Sequence, residues 1–502
     1  MRYLYGASIQ GIQNFIFQTN KLKEIIGASE IIENICTNFF QDFANIKPQV
    51  NNPTWIQGAA GSIKYIFDSE EQCRKVFLEF PKAVIDYAPG VNITQNVIKI
   101  DGPLTKGNFD ELETNLKAER NKMSTNTEYG QLATQRLPRT GFPETQYAIK
   151  DESQDYISRS KLEAQAGSHR LLSKFLPNSI DKSEIAKFPS EFTEITGGAK
   201  NKWLAVIHAD GNGLGSILLK LSNSLQGKDE SEIITSYRDF SIKLETATVN
   251  AAKKALDKSF PRKGDLIPFR PIILGGDDLT VVISADKALQ FVKHFLEYFQ
   301  DETSGELSDF FKKRNLDINQ LTACAGIAYI KESYPFHFSV NMADMLCRDA
   351  KNESKAIDHT NPPSSVSFYK VQSTFISTDR FESIVNRDLT TQDGFCFKYG
   401  PYFLNSDKRI NINDLEALAV KITKEGAPKT ALREWISARY QSKEKADLIL
   451  DRLIQILELD PYKEKYIDDF KLRKLREDEC KSHNIYDLLT IASFIKDEQD
   501  GY

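Results

Sequence analysis

Pro271-Ile272-Ile273-Leu274-Gly275-Gly276-Asp277-Asp278-Leu279-Thr280-Val281-Val282-Ile283 places two β-rich runs on either side of a tight Gly-Gly-Asp-Asp turn. That pattern reads as a hairpin. Gly275 and Gly276 permit tight geometry and let a bulky ligand come close to the backbone. Asp277 and Asp278 carry the chemical content, because adjacent like charges repel and a divalent cation between them is the usual remedy. Gly and Asp are turn residues in their own right, so the tetrapeptide alone decides nothing. Its surroundings do.

Upstream, Leu204-Ala205-Val206-Ile207 is a short apolar strand that runs into Asp210-Gly211-Asn212-Gly213-Leu214-Gly215. A long helix follows, with Ile233, Tyr237, Phe240, Leu244, Ala247, Ala251 and Ala255 recurring every three or four residues. Downstream, the spacing predicts a helix from about Ala285 to Phe299 and a strand from about Leu321 to Ile330. The order is βαββαβ, the ferredoxin-like split. A helix near Phe338 to Ala350 and a strand, Ser365 to Tyr369, extend it. In such a sheet the strand ending at Asp210 lies beside the hairpin, so a third carboxylate reaches the same point. Three carboxylates with open positions suit Mg²⁺ or Mn²⁺ holding triphosphate oxygens. Gly211, Gly213 and Gly215 leave backbone N–H groups exposed where a helix begins, a seat for phosphates. Asp210, Asp277 and Asp278 therefore predict two-metal nucleotidyl transfer, in which charge stabilisation and in-line positioning supply most of the catalysis.

The whole chain fits such an enzyme. Its 502 residues are enough for several domains with large cores. Hydrophobic residues make up 40% and charged residues 27%, an ordinary globular balance, and no apolar run approaches the roughly 18 residues of a membrane span. Met1-Arg2-Tyr3-Leu4-Tyr5-Gly6 reads at once as a strand rather than a signal peptide, so a cytoplasmic protein with no membrane partner is expected. Six scattered cysteines lack the close pairing of a structural zinc site and read as buried thiols in a reducing compartment. None of the six histidines is followed by Asp, which leaves no sign of a His-Asp phosphohydrolase. A net charge of −5 argues against bulk nucleic-acid binding through a strongly basic surface.

Four segments separate along the chain, and the expected class is α+β. Residues 1–100 read as strand, helix, strand, strand, helix, strand, with a hairpin over Trp55 to Phe67 turning at Gly58-Ala59-Ala60-Gly61 and a helix over Ile25 to Phe43. Residues 101–200 are polar, with turn signals at Pro138 and Pro143, and read as an insert of helices and loops without a zinc site. Residues 201–371 hold the acidic hairpin, and residues 372–502 are mainly helical. The first segment looks like a worn copy of the third. An overlay on glycines sets Gln10-Gly11 on Asp210-Gly211 and Ala60-Gly61 on Asp277-Asp278, keeping the shape and losing the carboxylates.

These residues resemble the large subunit of type III CRISPR effector complexes, a polymerase/cyclase that makes cyclic oligoadenylate messengers, and more distantly the GGDEF diguanylate cyclases. Tyr3 to Phe17 and Gly27-Ala28-Ser29-Glu30-Ile31-Ile32 look like the opening of that family's first palm, and Arg139-Thr140-Gly141-Phe142-Pro143 like its inter-palm segment. His208 to Gly215 and Gly275 to Asp278 look like the second palm's two metal motifs, and Cys324 to Ala328 with Ala343 to Lys351 like its closing strand and helix.

The resemblance implies two ferredoxin-like palms, one catalytic and one degenerate, with a helical insert and a helical C-terminal domain. It implies that Asp210, the Gly211 carbonyl, Asp277 and Asp278 bind two Mg²⁺ or Mn²⁺ ions. Gly211, Asn212, Gly213, Leu214 and Gly215, with Gly275 and Gly276, would hold the triphosphate of ATP or another NTP. Lys351 would approach its outer phosphates, although a lysine near a helix end is otherwise solvated or answering the helix dipole. Ser8 and Ser29 would hold an acceptor nucleotide, or else serve as turn and cap residues.

Implied partners are CRISPR-type proteins and guide RNA, or a second copy, with a downstream effector reached through the messenger. Three departures stand out: Asn212 replaces a second Asp, the family's N-terminal His-Asp nuclease domain is missing, and so are its zinc-binding cysteine pairs. A scaffold subunit with idle palms and a template-dependent polymerase are the competing expectations.

Overall fold

The computed structural model describes residues 1–49, 52–59, 61–122, 165–175, 185–197, 202–260, 266–372, 380–405, 410–477 and 480–495. Strand β1 (Arg2–Gln10) leads through helices α1 (Ile12–Ile16), α2 (Leu22–Asn34) and α3 (Phe40–Ala44) to β2 (Trp55–Ala59) and β3 (Ser62–Phe67). Helix α4 (Glu70–Tyr87) then returns the chain to β4 (Asn92–Ile100). The strands lie in the order β2-β3-β1-β4, all neighbours antiparallel. This is the ferredoxin-like arrangement of a βαββαβ unit. The predicted turn over Gly58 to Gly61 is shorter than expected. Gly58 pairs with Ile63 inside the ladder, and Ala60 lies outside the described residues. Helix α5 (Lys106–Arg120) packs Leu112 and Leu116 against Gly6 of β1.

Of the inserted segment, two described stretches contain α6 (Arg170–Phe175) and the single turn α7 (Phe192–Ile195). Pro138 and Arg139 to Pro143 lie outside the described residues.

The second unit repeats the first on a larger scale: β5 (Trp203–Gly211), α8 (Leu214–Ser224), α9 (Glu230–Ser259), β6 (Phe269–Gly275), β7 (Asp278–Ser284), α10 (Ala288–Lys312) and β8 (Ala323–Lys331). Its core order β8-β5-β7-β6 is again the ferredoxin-like one. Helix α11 (Phe336–Ile357) crosses over to β9 (Ser365–Lys370), which pairs parallel to β8, and β10 (Tyr402–Phe403) closes that edge. Helix α9 starts where Asp229 accepts from the Glu232 amide at 2.8 Å, with Glu230 and Glu232 in the first turn. That is the charge and cap a helix N-terminus favours. Its buried stripe holds Ile233, Phe240, Leu244, Ala247, Ala251 and Ala255 as the periodicity predicts, with Tyr237 half-buried on Phe109. Strands β5, β7 and β8 are buried along nearly their whole length, as a sheet covered on both faces requires.

The remainder, α12 (Phe381–Asp388), α13 (Ile412–Thr423), α14 (Lys429–Arg439), α15 (Lys443–Glu458), α16 (Lys465–Asp469) and α17 (Ile485–Ala492), is helical as expected. The six cysteines are free, four of them buried. Among the described residues no helix is long and apolar enough to cross a membrane.

The two palms touch directly. The Phe336 amide donates to Asn20 Oδ1 at 2.8 Å, Phe17 packs on Phe336, and Arg2 pairs with Glu230.

Candidate active site

Backbone register places the carboxylates. Ala209 pairs with Leu279, so one step further along the ladder Asp210 stands opposite Asp278. Gly275 pairs with Asp278 across a two-residue turn. Gly276 takes φ of +63° there, a conformation that favours glycine. Asp277, at the turn's second position, leans over β5. A Cβ on Gly211 would lie 2.8 Å from Asp277 Oδ2 and 3.0 Å from its Cβ, so the bare backbone of Gly211 is what admits that carboxylate.

Lys351, from α11, sets its ammonium 2.5 Å from Asp210 Oδ2 and 2.8 Å from the Gly211 carbonyl. On the other side His208 Nδ1 lies 3.1 Å from Thr280 Oγ1 and 3.4 Å from Asp278 Oδ1. Its Nε2 lies 3.8 Å from Asp344 Oδ1.

The charges do not balance within this group. Burial, reinforced by the charge and hydrogen bond of Asp210, pushes the Asp277 carboxyl well above the usual carboxylate range. Burial pushes Asp278 up to about 6, with His208 pulling down and Asp210 pushing up. Burial would lower the Lys351 ammonium, but its ion pair and hydrogen bond with Asp210 outweigh that and hold it above its ordinary value. Three carboxylates thus share one lysine, and Asp278 Oδ1 is shielded from solvent with no hydrogen-bond partner.

All the oxygens on offer, carboxylate and carbonyl, are hard donors of the kind Mg²⁺ takes. Among the described residues no group of three or more His, Cys, Asp or Glu side chains stands ready-arranged for an ion. The contacts explain this: Lys351 lies on Asp210 as a built-in cation, and Asp278 faces His208. The donor chemistry and the orphaned oxygen fit a divalent ion, once Lys351 yields its position.

Beyond β5, Gly213 adopts φ of +69° and caps α8; its carbonyl accepts from the Ser216 and Ile217 amides at 3.0 and 3.1 Å. The first-turn amides of Gly213, Leu214 and Gly215 have no partner within the helix, which starts three residues after Gly211 ends β5.

Residues 203–357 match the family model described as Cas10/Cmr2, second palm domain. The stretch so matched is the one that carries β5, the acidic hairpin and Lys351. Similarity of fold extends much further. The Csm1-Csm4 cassette solved with pppApApA is similar at a TM-score of 0.53 and 13% identity, over 98% of this chain and 69% of that one. The Csm1-Csm4 subcomplex in the type III-A CRISPR-Csm interference complex gives the same values. The cassette solved with cA4 gives 0.51 at 13% identity over the same shares. No curated protein matches the chain.

Within this palm, the structure gathers Asp210, Gly211, Gly213, Leu214, Gly215, Gly275, Gly276, Asp277, Asp278 and Lys351 at one end of the sheet. Three of the residues expected to hold nucleotide already have partners within the protein. Asn212 is buried, its amide donates to Thr322 Oγ1 at 3.0 Å and its backbone N–H to the Thr322 carbonyl at 2.8 Å, which braces the loop, while its Oδ1 has no hydrogen-bond partner. Ser29 is buried and its hydroxyl proton is committed to the Ile272 carbonyl. Lys351 lies against Asp210 and the Gly211 carbonyl rather than in open solvent.

The overlay of the palms also shifts. Ser8 pairs with Ser62 as Asp210 stands to Asp278, and Gly11 caps α1 with φ of +64° as Gly213 caps α8. Ser8, Gly61 and Ser62 therefore occupy the places of Asp210, Asp277 and Asp278. Ser8 is half-exposed, with Gln10 Nε2 donating to its Oγ at 3.2 Å.

His208, Thr248 and Asp344 also stand at the site; His208 and Asp344 fall within the motifs of the resemblance, which gives neither a role. His208 was findable, since it stands two residues before Asp210 and so shares its face of the strand.

Proposed function

We propose that the chain is a metal-dependent nucleotidyltransferase that joins ATP, or other NTPs, into cyclic or short linear oligonucleotides with release of pyrophosphate. The observation that carries this reading is the convergence of Asp210, Asp277 and Asp278, with Lys351 against Asp210, just ahead of the N-terminus of α8. Asp210, the Gly211 carbonyl, Asp277 and Asp278 would hold two Mg²⁺ or Mn²⁺ ions. When bound, such ions lower the pKa of an attacking ribose hydroxyl and steady the triphosphate and leaving pyrophosphate.

The chain's own residues do the rest. The amides of Gly213, Leu214 and Gly215 receive phosphate oxygens. Lys351, displaced from Asp210, keeps a positive charge within reach of them. Ser8, with a hydroxyl where the second palm has a carboxylate, suits an uncharged contact to the acceptor nucleotide. Relatives of this fold were solved as Csm1-Csm4 assemblies with cA4 and with pppApApA, which supports a CRISPR-type protein partner and oligoadenylate products. Such products would serve as antiviral messengers in the cytoplasm.

A scaffold with idle palms is favoured by one observation, the lysine already lying on Asp210. Incubation of purified protein with each NTP and Mg²⁺ or Mn²⁺, followed by mass spectrometry, separates the two. Synthesis should be lost in Asp277→Ala with Asp278→Ala while the circular dichroism spectrum is kept. Synthesis that survives the double substitution refutes the site.

A further inference from the structure

β6 is the edge strand of the larger sheet, so half of its backbone groups face away from β7. Ile273 and Gly275 pair with Thr280 and Asp278, which turns the carbonyls of Ile272, Leu274 and Gly276 outward. Each is met by a side chain from a different element. Ser29 of α2, in the first palm, donates to Ile272. Lys174 of α6, in the inter-palm segment, approaches the Leu274 carbonyl at 3.4 Å. Thr248 of α9 places its hydroxyl 2.7 Å from the Gly276 carbonyl. The strand so gripped ends in Asp277 and Asp278.

Lys174 is the centre of the grip. Its ammonium also lies 2.7 Å from Glu33 Oε1 of the first palm and 2.8 Å from Glu245 Oε1 of the second, with only 20% of the side chain exposed. Burial would weaken its charge; the two carboxylates outweigh burial and hold it protonated. Its helix is anchored independently. Glu30 accepts from the Arg170 and Leu171 amides at 3.0 Å and from Ser168 Oγ at 2.7 Å, and Phe175 packs on Phe269 at the start of β6. One cation thus joins three parts of the chain at the outer side of the acidic hairpin.

We propose that Lys174 and Ser29 are positioning residues, which set the height of the Gly-Gly-Asp-Asp hairpin against β5 according to how the first palm and the inter-palm segment are seated. Neither touches the reacting groups; both act through the backbone of β6. A shift of the first palm pulls on Ile272 and Leu274 directly, and displacing a metal-binding carboxylate by about 1 Å is worth on the order of a hundred-fold in rate. This inference rests on the nucleotidyltransferase reading for its consequence in turnover, but the mechanical link itself does not.

The test uses the full chain with Lys174→Met, which keeps the stem and removes the charge, and Ser29→Ala as a milder second variant. Expected are a fall in kcat of about ten-fold with nucleotide KM little changed, a raised Mn²⁺ midpoint by electron paramagnetic resonance, and faster hydrogen exchange in the peptide spanning 269–284. Lys174→Arg should recover most of each. A purely structural role would lower Tm and leave the Mn²⁺ midpoint and hairpin exchange of the folded protein at wild-type values, and that result overturns the proposal. If Lys174→Met does not fold, wild-type exchange and midpoint in Ser29→Ala overturn it equally. Should the wild type make no product from any NTP, the enzymatic reading fails, while exchange of the hairpin still decides the link.

Discussion

Gly211 matters for what it lacks. Its φ is ordinary, so alanine suits the backbone, but a Cβ there meets Asp277 at 2.8 Å and the carboxylate must swing aside. Gly211→Ala should therefore cut product formation by about a hundred-fold, measured as initial rate, while unfolding free energy changes by no more than about 2 kcal/mol. At this scale the sequence was readable for charge and glycine and unreadable for engagement. Asp210, Asp277 and Asp278 declare themselves because carboxylates on neighbouring strands need a reason. Nothing in Ser29 or Asn212 announces that a buried carbonyl or Thr322 already holds it, since those partners lie 243 and 110 residues away.

Among elements, strands and long helices follow from periodicity, while the relation between the palms is offset from the glycine overlay by two residues at the first motif and by one at the hairpin. Glycine identity drew Gly11 onto Gly211, whereas the left-handed cap makes its counterpart Gly213. A conformation, not a letter, is what repeats.

Helix α17 carries a separate test of element-level energetics. Asp487 is buried against β10, accepting from Tyr402 Oη at 2.7 Å and from the Gly400 amide at 3.4 Å, and burial raises it to about 6 despite both. A carboxyl raised in the folded state favours folding below its unfolded pKa of about 3.9, and that contribution is lost as pH rises through about 6. Wild-type stability should therefore fall between pH 4 and pH 7 by up to about 3 kcal/mol from this group. Asp487→Asn should flatten that slope in urea melts taken across the range; an unchanged slope would assign it to other groups.

For the whole molecule, the asymmetry of the palms sets a count. Hydroxyls and a glycine, Ser8, Gly61 and Ser62, stand in the first where three carboxylates stand in the second, so the tight divalent sites should all belong to one palm. Titration with Mn²⁺ should lose all high-affinity binding in Asp277→Ala with Asp278→Ala. Half the binding surviving would place ions in the first palm as well. The α+β architecture and the duplication were legible from residues 1–100 and 201–371, because each alternates strand and helix in one order. How the palms meet was not, because contacts such as Arg2 with Glu230 join positions that no local pattern relates.

The outer margin of β6 has one more consequence. A bare sheet edge is a template on which another chain can lay a strand, and proteins commonly guard it with charge or cover. Here Ser29, Lys174 and Thr248 already answer the outward carbonyls at Ile272, Leu274 and Gly276. The chain has closed that margin with its own side chains. Neither a partner protein nor a second copy can extend the sheet there without first undoing the contact between its two halves, so assembly has to proceed through other faces.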